Sequence, residues 1–85
     1  MKKNERLRQM IDYAKELGLN EKDILFAIET LEVNEYGLSF DHVTEQLYEY
    51  NTPITSEFYY LVSEVACEFK FDETRYSILK GLIKE

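Results

Sequence analysis

Gly18, Gly37, Pro53 and Gly81 are the only glycines and the only proline in this chain. Between them the apolar residues recur every three or four positions, the repeat of an α-helix and not the alternation of a strand. A chain so poor in turn formers has few ways to build strand hairpins, and 85 residues suffice for one domain. The expected fold is all-α: a compact bundle of four to five short antiparallel helices, with residues 1–85 forming a single helical domain.

The spacing predicts each helix. Leu7, Met10, Ile11, Ala14 and Leu17 form the stripe of a first helix, stopped by Gly18. Asn20 caps a second, with Glu21 and Asp23 in its first turn, where the helix dipole favours acids. Its inner face reads Ile24, Leu25, Ile28 and Leu31, and it runs to about Asn34 before Gly37 breaks it. A third helix, roughly 38–50, turns Phe40, Val43, Leu47 and Tyr50 inward. It ends because Pro53 disfavours helical geometry at Thr52. Thr55 or Ser56 caps a fourth, with Phe58, Leu61, Val62, Val65 and Phe69 inside. Asp72 caps a fifth, with Tyr76, Leu79, Leu82 and Ile83 inside and Lys80 and Lys84 near its end.

Charge is distributed less evenly. Eleven of the seventeen acids lie between Asn20 and Phe69, where the only cation is Lys22. The two flanking stretches are slightly basic, and the whole chain carries −7. Asp41, Glu45 and Glu49 recur every four residues as one acidic row of the third helix, with no lysine in reach on that helix. Like charges so placed repel by a few tenths of a kcal/mol each. A surface selected only for solubility usually mixes signs. Most aromatics share this block, including Tyr36, Tyr48, Tyr59 and Tyr60, too many for so small a core. Tyr59 and Tyr60 are neighbours on a helix, so at least one of them is exposed. Tyrosine, with an apolar face and a polar tip, suits protein interfaces. An acidic, tyrosine-bearing surface fits a basic protein partner and repels nucleic acid and anionic membranes.

Other chemistries lack their constellations. His42 and Cys67 are the only histidine and thiol, and they fall on different helices. They read as a surface histidine and a small buried thiol, not as a nucleophile and its base. One cysteine excludes an internal disulfide. The carboxylate rows are solvated, so they offer no enclosed site for acid–base catalysis, and there is no calcium loop or Glu-x-x-His pair. No glycine-rich phosphate loop occurs. Lys2, Lys3, Arg6 and Arg8 read as a solvated helix end. The expectation is a non-enzyme with no cofactor and no metal. No apolar run approaches the roughly 20 residues of a membrane span. Glu5, Arg6, Arg8 and Gln9 interrupt what would be the core of a signal peptide, and a cytoplasmic protein is expected.

Two stretches carry a resemblance. Leu31-Glu32-Val33-Asn34-Glu35-Tyr36-Gly37-Leu38, followed by Glu45-Gln46-Leu47-Tyr48-Glu49-Tyr50-Asn51-Thr52-Pro53-Ile54, looks like the MafI-type immunity proteins, over about residues 24–83. That pattern has an amphipathic helix, a break of the form Glu-Tyr/Trp-Gly-Leu, a helix ending Leu-Tyr-Glu-Tyr-Asp, then Pro-Ile and a further acidic helix. Asn51 stands where the pattern has Asp, and Ser39-Phe40 where it has smaller apolar residues. Gly37 and the Pro53-Ile54 anchor also have a structural reading, as turn formers. The resemblance implies a small bacterial cytoplasmic protein that neutralises a cognate polymorphic toxin, often a nuclease, in contact-dependent inhibition. Its partner would be the C-terminal toxin domain of a secreted effector. Nucleases bind polyanions through basic surfaces, which an acidic face would complement and block. The residues expected to meet the partner are Glu29, Glu32, Glu35, Tyr36, Asp41, Glu45, Tyr48 and Glu49. A small acidic helical adaptor, resembling ubiquitin-associated domains, or a phage-type inhibitor with another basic partner is the alternative.

Overall fold

The computed structural model describes residues 4–84. Four α-helices run in chain order: α1 Glu5–Leu17, α2 Glu21–Glu32, α3 Tyr36–Glu49 and α4 Ser56–Phe69. Two 3-10 helices follow, Glu73–Arg75 and Ser77–Leu82. There is no β-strand among the described residues; one isolated parallel bridge pairs Ile54 with Ile83. The all-α class is as the periodicity requires. Lys2, Lys3 and Glu85 lie outside the described residues.

Two helices begin on a side-chain cap, and all four end on a local turn. The Asn20 and Thr55 side chains accept hydrogen bonds from the Asp23 and Phe58 amides, each 3.0 Å, and so cap α2 and α4. All four helices close the same way, on a residue with left-handed backbone: Gly18 (φ 113°), Asn34 (φ 65°), Asn51 (φ 55°) and Lys70 (φ 63°). At each end the next amide reaches back to the carbonyl five residues earlier: Leu19 to Ala14, Glu35 to Thr30, Thr52 to Leu47 and Phe71 to Ala66, at 2.8–3.0 Å. This double closure satisfies carbonyls that a helix end otherwise leaves open.

Gly37, expected as the break between two helices, lies inside the first turn of α3; the turn is made by Asn34. Gly37 serves a different end. A Cβ there would stand 3.2 Å from Nη2 of Arg75. The C-terminal segment also departs from expectation. A fifth α-helix is replaced by two 3-10 stretches, with the Asp72 carboxylate accepting from the Thr74 amide at 2.9 Å. Tyr76, Leu79 and Leu82 are spaced by three, the repeat that aligns side chains on one side of a 3-10 helix, and all three are buried.

The core collects Leu7, Met10, Ile11 and Ala14 from α1, Ala27 and Leu31 from α2, Phe40, Val43 and Leu47 from α3, and Phe58, Val62 and Val65 from α4, all fully enclosed. Each of these side chains other than the two alanines stabilises the fold by roughly 1.5–3 kcal/mol relative to exposure. Ile54, after Pro53, is buried as the anchor its position implies. Its amide donates to the Leu82 carbonyl at 2.9 Å and its carbonyl accepts from the Lys84 amide at 2.8 Å. Two residues expected inside are out: Leu25 is 52% exposed and Tyr50 57%. Ala27 takes the inward place on α2, because Ile24, Ala27 and Leu31 already share its buried side. Tyr50 sits past the end of α3, where the chain turns away at Asn51. Cys67, expected to be buried, is exposed.

Candidate protein-binding surface

The expected contact residues do not form one undifferentiated acidic patch. Tertiary packing divides them into those used internally and those left to solvent.

Asp41 is used internally. Arg75 reaches it with two hydrogen bonds, Nε to Oδ1 at 3.1 Å and Nη2 to Oδ2 at 2.8 Å. The guanidinium also lies 4.1 Å over the Phe71 ring. The Asp41 hydrogen bonds hold the Arg75 pKa above its ordinary value, against the opposing effect of burial. Asp41 therefore does not extend the exposed acidic row with Glu45 and Glu49, because a cation 34 residues away neutralises it. Tyr36 is also built in. Its ring packs 5.1 Å from Phe69, and its hydroxyl donates to Asn34 Oδ1 at 2.8 Å, bracing the turn. Glu32 lies 3.7 Å from Arg8 of α1 in a surface ion pair and stays exposed, its side chain 63% accessible.

Glu29, Glu35, Glu45, Tyr48 and Glu49 remain exposed. Among the described residues, these four carboxylates take part in no ion pair. Glu45, Tyr48 and Glu49 line a shallow groove of about 310 Å³ with Thr44, Gln46, Arg75 and Ile78. Ile78, from the second 3-10 helix, is half exposed and adds an apolar lining residue to the groove that Tyr48 also lines. Sequence reasoning missed Ile78 and Arg75. Ile78 falls outside the three-residue repeat of Tyr76, Leu79 and Leu82, and that was the available signal; Arg75 had none.

Glu29 belongs to a second hollow, of about 350 Å³, lined by Lys22, Asp23, Leu25, Phe26 and His42 as well. His42, expected on a solvated face, is partly buried there. Its Nε2 lies 2.8 Å from Asp23 Oδ1, and its ring centroid is 4.4 Å from that of Phe26. A third hollow, between α1 and α4, is lined by Gln9, Tyr13, Glu57, Tyr60, Leu61 and Glu64. There Tyr60 is 70% exposed while Tyr59, its neighbour, turns inward against Tyr76. Among the described residues, no three of His, Cys, Asp and Glu cluster as metal ligands would. No helix there is long and apolar enough to cross a membrane.

With this geometry in hand, the chain matches no family model, no curated protein and no solved structure.

Proposed function

We propose that this protein is a bacterial immunity protein, acting in the cytoplasm, that binds and neutralises a cognate toxin domain, a nuclease by the charge it would present. One observation carries the reading: Glu45 and Glu49, in no ion pair among the described residues, share a single groove with exposed Tyr48 and Ile78. An aromatic and an aliphatic side chain offer apolar area for an anchor, and the carboxylates around them select a basic partner. On a nuclease, the basic surface is the one that holds the substrate backbone. An acidic domain seated there blocks substrate without performing chemistry. Attraction between opposite charges speeds the encounter, which matters when free toxin is lethal. The motif around Glu35-Tyr36-Gly37-Leu38, similar to that of MafI-type immunity proteins, supports the same reading.

The test is co-expression of this protein with the C-terminal domain of the larger protein that, on this reading, the gene immediately upstream encodes. Rescue of growth, with a stable one-to-one complex of the purified pair, is the expected result. A complex without rescue would favour the adaptor reading, and neither complex nor rescue would refute both for this partner.

A further inference from the structure

The outward side of α2 is apolar where a solvated helix would be polar. Leu25 is 52% exposed, Phe26 37% and Val33, just past the helix end, 67%. At 3.6 residues per turn, Lys22, Leu25, Phe26, Glu29 and Val33 share one side of α2, opposite the buried Ile24, Ala27 and Leu31. The hollow in this stripe has a firm wall: His42 is held by Asp23 at 2.8 Å and packs on Phe26. His42 and Tyr48 point about 120° apart around α3, so the hollow and the Tyr48 groove flank that helix on either side. Glu45 and Glu49 lie on the ridge between them.

We propose that the Leu25–Phe26–His42 hollow is a second half of the docking face. A basic toxin domain straddles α3 and seats an apolar anchor side chain against Leu25 and Phe26 while its cations meet Glu29, Glu45 and Glu49. The inference rests on the immunity reading for the identity of the partner. Charge selects this occupant over a second copy of the chain. Residues 21–49 hold eight acids and one lysine. Two copies joined through this face would bring like charges together, which a basic partner would instead neutralise. Leu25 and Phe26 supply the desolvated centre that such an interface needs, and the carboxylates supply its rim.

The experiment is titration calorimetry of the wild-type protein, Leu25→Gln, Glu29→Lys and Tyr60→Ala against the upstream-encoded C-terminal domain, made catalytically inactive. Leu25 is half exposed, so Leu25→Gln keeps its fold, which a thermal melt verifies; Glu29→Lys changes only an exposed charge. The expected result is a loss of affinity of about tenfold or more for Leu25→Gln and for Glu29→Lys, with Tyr60→Ala unchanged. Wild-type binding that both α2 variants leave within twofold overturns the second half of the face and leaves the immunity reading intact. Absence of wild-type binding removes the immunity reading for this partner, and the inference with it. A wild-type dimer in sedimentation that Leu25→Gln dissociates also overturns the proposal, since the occupant would then be a second copy.

Discussion

Tyr59 shows how far one atom departs from its pattern. Its ring packs 5.6 Å from Tyr76, but its hydroxyl is buried with no hydrogen-bond partner among the described residues. Burial, and then the neighbouring Tyr76 and Glu73, push its pKa above 10.0. The folded state thus holds the phenolic proton more tightly than the unfolded chain does. The stability linked to that proton is complete below the unfolded value near 10 and is lost as pH rises through the folded one. Tyr59→Phe removes an unsatisfied polar atom and keeps the ring. It should stabilise the fold by about 1 kcal/mol and flatten the loss of melting temperature above pH 10, which paired thermal melts at neutral and alkaline pH would measure. A melting temperature at or below wild type would mean the hydroxyl has a partner after all. Asp41 carries the corresponding lesson about charge. In the sequence it heads an acidic row, and no local signal relates it to Arg75.

The four helix ends illustrate what an element inherits from its residues. All use one left-handed residue, but the sequence supplies Gly18 at one, asparagines at two and Lys70 at the last. Glycine takes this backbone without strain, asparagine at small cost, and lysine at about 1 kcal/mol or more. Lys70→Gly should therefore stabilise α4 by about 1 kcal/mol, a rise of roughly 4–8 °C in a domain of this size. Asn34→Ala should cost about 1 kcal/mol or more, losing both the tolerated backbone and the Tyr36 hydrogen bond, while Asn34→Gly, which loses only the bond, should cost less; urea unfolding of the three variants orders them. An Asn34→Ala protein as stable as wild type would show that the turn does not depend on this backbone. Gly18 was legible as a stop because glycine advertises the conformation. Lys70 was not, because lysine ordinarily continues a helix. Gly37 misled for the opposite reason: its small size accommodates Arg75, a demand made by a distant segment.

Across the whole molecule, the tail is tied to the core through Ile54, whose side chain is enclosed and whose backbone meets both Leu82 and Lys84. Ile54→Ala should cost about 2–5 kcal/mol, combining lost burial with a cavity. It should also expose the 3-10 segment to early hydrogen exchange; unchanged protection of residues 77–84 would show that the tail is held elsewhere. A radius of gyration of 11.5 Å, against about 12 Å for a folded domain of this length, fits one packed unit. For function, Glu45→Lys with Glu49→Lys should slow association with the upstream-encoded domain by at least about tenfold and flatten its dependence on salt. Stopped-flow mixing at two ionic strengths measures this, and an unchanged on-rate would rule out this groove as the steering surface.

The sequence alone determined the helical class, most of the apolar stripes, the cap at Asn20 and the concentration of acids in the middle of the chain; it narrowed the fourth helix's cap to Thr55 or Ser56. These follow from periodicity and from contacts within a few residues. Tertiary structure alone decided which of the acids are paired. Arg75 reaches Asp41 across 34 residues, Arg8 approaches Glu32 from another helix, and Asp23 holds His42 beside Phe26. It also turned Leu25 outward and brought Ile78 beside Tyr48. Such pairings depend on how helices stack, and stacking is set by the whole core at once, so no local spacing records them.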